Sequence, residues 1–182
     1  MKIVSIAASF VPANTANSIQ VLKATHALAE LGHQVTLLVP GLSDVGWETL
    51  KHHYGLQKYF EIRWISENLA FRRYDFAFKA VRSAQRLSPD LIYTWVLQAG
   101  VLALWGGLPV ILELHDRVSG KFGPWLFNWF CASARRHRLL TNTRALSLAL
   151  HANYPIDSSE MDVQVSPNGV DLTRYQNLPS PS

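Results

Sequence analysis

Four ionisable side chains follow one another closely in the segment ELHDR, at the end of an apolar run that begins at Val110. They are Glu113, His115, Asp116 and Arg117. Burial of such groups costs free energy, so a cluster at the end of a predicted strand indicates a site rather than chance placement. An imidazole there can donate a hydrogen bond to a phosphate or a sugar hydroxyl, and a neighbouring carboxylate can fix its tautomer. We therefore predict a functional His115, against the alternative of a solvated loop residue. Glu113 lies inside the strand, where a structural role suffices.

A second polar stretch, SFVPANTANS, runs from Ser9 to Ser18 into a predicted helix. Free amides and the helix dipole favour an anion at a helix N-terminus, so Asn14, Thr15 and Asn17 are candidates to contact a phosphate. The stretch lacks GxGxxG, which argues against dinucleotide binding. Taken alone, it is more simply interpreted as a capped loop.

Other catalytic signatures are missing from the sequence. The pair His52–His53 falls on a predicted surface helix, and no spacing of cysteine and histidine suits zinc. Neither a GxSxG elbow nor a Walker lysine loop occurs. The single cysteine, Cys131, cannot form an internal disulfide, so a reducing cytoplasm is the simplest location.

Apolar runs alternate with helical patterns along the chain, and these predicted elements must position the polar stretches. The runs are dense in Val, Ile and Leu with little polar alternation, which is typical of parallel strands covered on both faces. Strands are predicted over Lys2–Ala7, Val35–Val39, Phe60–Ile65, Leu91–Trp95, Val110–Leu114, Arg138–Thr141 and Val163–Val165. Helices are predicted to begin at Asn17 and Asp44 and to span Phe71–Leu87, Val96–Trp105, Pro124–Arg136 and Thr143–Asn153.

This alternation predicts an α/β fold with a doubly wound, mostly parallel, Rossmann-like sheet. In such sheets ligands bind outside the carboxyl ends of the strands, at the switch point beside the first strand. Both polar stretches are predicted to lie at that edge.

The first predicted helix carries local start and stop signals. Asn17 and Gln20 are spaced as in a capping box, and Gly32 is placed to end the helix. Apolar residues between them, up to Leu31, follow helical spacing and are predicted to pack on the sheet. Asp44 is predicted to cap the second helix.

The composition describes a globular protein of one domain with a modest basic charge. Of the 182 residues, 48% are hydrophobic and 16% are charged, and the net charge is +4. The nearly apolar stretch Val96–Leu112 is interrupted by glycine and proline, so no membrane-spanning segment is predicted. The charge is not accompanied by a nucleic-acid-binding motif.

Two basic stretches bear on binding partners. On the predicted helix Phe71–Leu87, four basic residues gather opposite three small apolar ones: Arg72, Lys79, Arg82 and Arg86 opposite Ala77, Val81 and Ala84. The stretch Lys121–Arg138 brings aromatic residues beside arginines: Trp125, Phe127, Trp129 and Phe130 beside Arg135, Arg136 and Arg138. Such interleaving suits a membrane interface with anionic headgroups. The alternative is an aromatic core with a solvated basic face, because the helix must also cover the sheet.

Three segments, in order along the chain, carry a resemblance to a known family. They are LAELGHQVTLLVP (Leu28–Pro40), PVILELHD (Pro109–Asp116) and VSPNGVDLTRY (Val165–Tyr175). They resemble the amino-terminal half of family-four (group 1) glycosyltransferases, which are retaining sugar transferases of the GT-B fold. The resemblance implies a Rossmann-like, acceptor-side domain at residues 1–170. It also implies the start of an interdomain linker at residues 171–182 and an absent donor domain, so that the chain would be half of an enzyme.

The resemblance further implies transfer of a sugar from a nucleotide-sugar donor to a glycan or lipid-linked acceptor, without metal or other cofactor. It places His115 at the reacting sugar with Asp116 beside it, and makes Glu113 and Arg117 candidates for substrate binding. The loop Asn14–Asn17 would lie near the diphosphate, although many relatives carry glycines where this chain has ANTAN. We expect this chain alone to be inactive. We expect the protein to be cytoplasmic, in peripheral contact with an anionic membrane and without nucleic acid.

Two other functions stay open at this point. A non-enzymatic subunit of a split glycosyltransferase, which binds the acceptor or docks on a membrane, would carry the same domain. A nucleotide-binding oxidoreductase is disfavoured by the missing GxGxxG. Whether the natural reading frame continues past Ser182 separates the first of these from a truncated enzyme.

Overall fold

The computed structural model describes residues 1–42, 45–67, 71–135, 137–156 and 163–169. Seven strands within these ranges form one sheet, and every neighbouring pair is parallel. They are β1 (Lys2–Ile6), β2 (Gln34–Pro40), β3 (Glu61–Ile65), β4 (Leu91–Thr94), β5 (Val110–Leu114), β6 (His137–Thr141) and β7 (Val163–Val165). The predicted α/β class, the Rossmann-like parallel sheet and all seven strands are confirmed.

The strand order across the sheet is β3-β2-β1-β4-β5-β6-β7. The chain therefore builds outward from β1 in one direction and then returns to add β4 on the other side. This reversal is the topological switch point, where the loops after β1 and β4 diverge and leave a crevice at the carboxyl edge.

Six helices lie in the described part of the chain and connect the strands. They are α1 (Ala16–Glu30), α2 (Trp47–Tyr54), α3 (Arg72–Leu87), α4 (Leu97–Trp105), α5 (Gly123–Cys131) and α6 (Arg144–Asn153). None of them is long and apolar enough to cross a membrane. The helix predicted to reach Arg136 ends at Cys131, because the chain leaves the helical path to send Arg135 across to α4. There its Nη1 donates to the main-chain oxygens of Leu104 and Trp105, near the end of α4.

The sheet is covered on both faces by two apolar clusters. In β2, Leu37 and Val39 pack in the cluster that includes residues of α1 and α2, whereas Leu38 packs in the cluster that includes α3. The cluster that includes α3 extends over α4, α5 and α6. It contains the fully buried Phe127 and Phe130, whose rings are stacked. Because successive strand side chains point to opposite faces, this two-sided burial accounts for the unbroken apolar runs in the sequence.

The start of α1 differs from the prediction. The N-cap is Thr15, whose Oγ1 accepts a hydrogen bond from the main-chain amide of Ser18, so Asn17 lies inside the first turn. At the other end Gly32 has a φ of +85° and ends the helix as predicted. Leu31 is exposed rather than packed, because it is the C-cap residue and lies past the last turn that faces the sheet.

The start of α2 also differs from the prediction. Asp44, the predicted cap, lies outside the described residues, and α2 begins at Trp47 after an N-cap at Gly46. Gly46 has no side chain to accept a hydrogen bond from the first turn.

The two basic and aromatic stretches divide between the two predicted roles. Phe127 and Phe130 belong to the core. Ala77, Val81 and Ala84 form the buried side of α3, as predicted. In contrast, 59% of Trp125 and 55% of Phe78 are exposed. The side chain of Arg72 and the whole of Arg136 lie outside the described part. Trp129 is half-buried and packs against the same core cluster. The core interpretation is therefore correct for three of the four aromatic residues in the stretch Lys121–Arg138, and Trp125 faces solvent.

Candidate functional site

The loop after β1 is closed onto the first turn of α1. Asn17 donates from Nδ2 to Oγ of the buried Ser9 at 2.8 Å. Thr15 caps the helix, and the predicted phosphate-side residue Asn14 is exposed. The loop is thus a capped turn whose polar side chains are partly used to hold its own shape.

One turn further along α1, Gln20 joins this loop to two others. Its side-chain nitrogen Nε2 lies 3.2 Å from Nε2 of His115, in the loop after β5. The same nitrogen lies 2.5 Å from Oδ1 of Asn168, in the turn after β7. The carboxyl ends of three strands, β1, β5 and β7, are therefore tied together through a single carboxamide.

A buried carboxylate lies behind His115. Glu113 is 5% exposed, and its Oε1 lies 2.5 Å from Nε2 of His115. Its other oxygen, Oε2, accepts a hydrogen bond from the hydroxyl of Tyr93 in β4. Tyr93 is in register with Ile111, two residues before Glu113 on the same face, which explains why the two side chains meet.

The phenol of Tyr93 keeps its proton in this environment. Burial raises the pKa of Tyr93 above its ordinary value, and the nearby charge of Glu113 and their hydrogen bond raise it further. Tyr93 therefore acts as a hydrogen-bond donor to the carboxylate. Its ring also contacts that of Trp95, whose buried indole nitrogen has no partner among the described residues.

The predicted site residues separate into those that meet and those that do not. Glu113 and His115 are in contact, so the carboxylate beside the imidazole is Glu113, and Asp116 instead accepts from the main-chain amide of Arg117 at 2.7 Å. Asn14, Asp116 and Arg117 are exposed and take no part in the network. A ligand-binding role for any of them stays a prediction.

Sequence reasoning missed Tyr93, Gln20 and Asn168. Tyr93 stands at the end of the strand beside the switch point, which is a signal that could have found it. Asn168 belongs to the Asn–Gly turn after the last strand, but its contact with Gln20 joins residues 148 positions apart. No local pattern predicts such a contact.

The site offers amide, imidazole, phenol and carboxylate groups, which together suit the recognition of hydroxyls and phosphate oxygens. Within the described ranges no three His, Cys, Asp or Glu residues group closely enough to hold a metal ion. Cys131 is buried in α5, and burial raises the pKa of its thiol to about 12, so it is not a thiolate nucleophile near neutral pH.

Comparison with known proteins gives a family match and several similar folds. The sequence model of Glycosyltransferase Family 4 matches residues 18–174. No significant match exists among curated protein sequences. A glycosyltransferase from Rickettsia africae has a similar structure, with a TM-score of 0.65 and 14% identity over 98% of this chain and 47% of that one.

Two further structures share the fold. Apo UGT2 from Phytolacca americana has a TM-score of 0.60 and 12% identity, over 99% of this chain and 55% of that one. A Listeria monocytogenes protein assigned as a UDP-N-acetylglucosamine 2-epimerase has a TM-score of 0.58 and 12% identity, over 88% of this chain and 44% of that one. At these identities the likeness shows the fold alone. The chain spans about half the length of these structures.

The buried network predicts that Glu113 and Asp116, two carboxylates close together in the sequence, contribute unequally to the free energy of unfolding. Replacing Glu113 by alanine leaves the Tyr93 hydroxyl without its hydrogen-bond acceptor and removes the carboxylate from Nε2 of His115. We expect Glu113→Ala to lower the free energy of unfolding by about 1–3 kcal/mol, which is the range for an unsatisfied buried polar group.

Asp116→Ala is the matched control, because Asp116 is exposed, and we expect a change within about 0.5 kcal/mol. Urea unfolding of both variants measures the difference. Equal stability of the two variants would contradict the buried role of Glu113.

Proposed function

The chain belongs to glycosyltransferase family 4, and from this premise we propose that it is the acceptor-side, amino-terminal half of a retaining enzyme. Such an enzyme moves a sugar from a nucleotide-sugar donor to an acceptor. The observation that carries the proposal is the polar network around His115, which lies within the matched residues at the edge where parallel sheets bind ligands. A site divided between two halves needs both of them, so we expect this chain alone to transfer no sugar.

The donor is proposed to be a nucleotide sugar. UGT2 from Phytolacca americana has been solved in complex with UDP-2-fluoro-glucose and pterostilbene, and it shares this fold. In our chain the amino-terminal turn of α1, with Asn14, Thr15 and Asn17 around it, lies at the same edge as His115 and would face the donor's diphosphate. Asp116 and Arg117 stand at the exposed rim of the site.

The proposed chemistry is a displacement on one face of the sugar. The bond from the anomeric carbon to the diphosphate breaks, and a new bond forms from that carbon to the acceptor oxygen. The proton of the acceptor hydroxyl passes to the leaving phosphate oxygen. The residues of this chain contribute position and electrostatic stabilisation, with His115 meeting the reacting sugar, and the proposal involves no metal or other cofactor.

We also propose that the acceptor is reached at an anionic membrane surface on the cytoplasmic side. Four aromatic side chains on or beside α3, α4 and α5 are exposed, and we call them the aromatic surface: Phe78, Trp105, Phe122 and Trp125. Exposed basic residues on the same helices or beside them include Arg82, Arg86, Lys121 and Arg135. Exposed aromatic rings interleaved with cations suit the headgroup region, and a lipid-linked or envelope glycan is the acceptor class that this favours.

The proposed role of His115 predicts an effect on turnover in the full-length protein. His115→Ala is expected to lower turnover by about a hundredfold or more, which is typical of removing one positioned hydrogen-bonding group from a transition state. The variant should still fold, because a quarter of the His115 side chain is exposed, although the free energy of unfolding should fall because Oε1 of buried Glu113 loses its partner.

His151→Ala is the matched control for this measurement. His151 is an exposed histidine on α6 whose Nδ1 lies 2.8 Å from the main-chain oxygen of Ser147 in the same helix, and its replacement should leave turnover unchanged. Wild-type turnover in His115→Ala would show that the site has been misplaced.

The membrane proposal predicts that the aromatic surface is needed for binding to vesicles. Vesicles that contain anionic lipid should bind the wild-type chain at low salt and release much of it at high salt, since salt screens exposed charges. Sedimentation of the vesicles measures the bound fraction. The double variant Phe122→Ala and Trp125→Ala should lose binding because both exposed rings are removed.

Leu31→Ala removes an exposed apolar side chain from α1, outside the aromatic surface, and serves as the control that keeps binding. Binding that ignores lipid charge, or equal binding by the double variant and the wild type, would contradict the membrane proposal.

A further inference from the structure

Glu113 has a role in the structure that is distinct from contact with a ligand. We propose that it is a positioning residue, which holds the proton of His115 on Nε2 and leaves Nδ1 as the ring nitrogen offered to a ligand. The proposal rests on the proposed function only in taking His115 to meet a ligand. The proton arrangement itself belongs to the protein and is measurable without any substrate.

The carboxylate of Glu113 fixes one end of the arrangement. An ionised carboxylate only accepts hydrogen bonds, so the short 2.5 Å contact between its Oε1 and Nε2 of His115 needs the proton on the ring nitrogen. Tyr93 donates to the second oxygen, and its phenol keeps its proton because it is buried beside that charge. Both oxygens of Glu113 are thus acceptors, and the carboxylate cannot rotate without losing a partner.

Gln20 has to adapt to that tautomer. Its side-chain nitrogen lies 3.2 Å from Nε2 of His115, and two N–H groups cannot form a hydrogen bond with each other. With the ring proton on Nε2, the carboxamide turns its oxygen to His115, and Asn168 donates its own amide to the same oxygen. The chain Tyr93–Glu113–His115–Gln20–Asn168 then has a single consistent set of donors and acceptors.

Nδ1 of His115 is the ring nitrogen that remains available to a ligand. Nε2 of His115 already has two neighbours, whereas Nδ1 has no hydrogen bond among the described residues, and a quarter of the side chain is exposed. In the neutral ring with the proton on Nε2, Nδ1 accepts a hydrogen bond. It therefore suits a hydroxyl, which can donate, better than a phosphate oxygen, which cannot.

Other histidines of the chain provide internal references for the opposite tautomer. Nε2 of buried His26 accepts hydrogen bonds from the main-chain amides of Gln57 and Lys58, so its proton lies on Nδ1. His137 and His151 each place Nδ1 within 2.8 Å of a main-chain oxygen, which also needs the proton on Nδ1. Among these four histidines, His115 alone is expected to carry its proton on Nε2.

The test is a long-range ¹H–¹⁵N NMR spectrum of the histidine rings in the 182-residue chain. Spectra recorded at increasing pH from about 8 show which rings are neutral, and in a neutral ring the ¹⁵N shifts distinguish the protonated from the unprotonated nitrogen. His115→Gln identifies the His115 signals by their loss. The expected result is a protonated Nε2 for His115 and a protonated Nδ1 for His26. A protonated Nδ1 on wild-type His115 would overturn the proposal.

Glu113→Gln tests the cause of the tautomer. Tyr93 should donate to the oxygen of the new carboxamide, which turns the carboxamide nitrogen toward His115, so that the ring proton moves to Nδ1. Adding Tyr93→Phe frees the carboxamide to rotate and should give a mixture of tautomers. Asp116→Asn, which makes the same chemical change on the neighbouring exposed carboxylate, should leave the tautomer of His115 unchanged.

An unchanged tautomer in a folded Glu113→Gln variant would overturn the positioning role. If that variant does not fold, the wild-type spectrum still decides the proposal by itself. Failure of sugar transfer in the full-length protein would count against the proposed function and leave these spectra unaffected, so the two failures are distinguishable.

Discussion

A parallel sheet requires each strand to be followed by a crossover that returns the chain to the opposite edge, and this requirement organises the molecule. The crossovers of this chain are helices, which bury their apolar sides on the sheet while all seven strands end at one edge. Because all seven strands end at this edge, Gln20 in the helix after β1 can contact His115, in the loop after β5, and Asn168, in the turn after β7. The topology of the sheet therefore brings these residues to one edge, and their side chains then determine the chemistry of the site.

The buried carboxylate of Glu113 then sets the chemistry of that edge. A charge that is nearly removed from water is tolerated only when its oxygens are satisfied, and here Tyr93 and His115 satisfy them. The same contacts restrict the orientation of the imidazole. A group that is expensive to bury therefore supplies the rigidity that a binding site needs, and the exposed part of His115 is left for a ligand.

Much of the fold could be predicted from the sequence because its signals are local and repeated. Runs of Val, Ile and Leu mark each strand, and the switch-point rule directs attention to the loop that contains His115. Thr15 replaced Asn17 as the cap because both residue types can cap, and only the path of the chain decides between them. The early end of α5 depends on Arg135 reaching α4, which is a tertiary contact.

The site was harder to predict, because it too depends on tertiary contacts. Glu113 looks like an ordinary strand residue until the register of β4 against β5 places Tyr93 beside it. Asp116 is the nearer carboxylate to His115 in sequence, yet the loop turns it toward the main-chain amide of Arg117. The sequence predicted a carboxylate beside His115 without deciding between Glu113 and Asp116. Only the three-dimensional path of the chain shows that it is Glu113.

The most direct test of the central claim, that this edge is one half of a nucleotide-sugar site, is a titration of the 182-residue chain with a panel of nucleotide sugars. Binding is followed through the backbone amide signals of the chain. We expect at least one nucleotide sugar to bind weakly, with a dissociation constant of about 1 mM, corresponding to about −4 kcal/mol, because half of the ligand stays solvated. The shifts should cluster at Gln20, His115 and Asn168. Micromolar affinity, shifts confined to the opposite edge of the sheet, or no shifts with any donor would contradict the account.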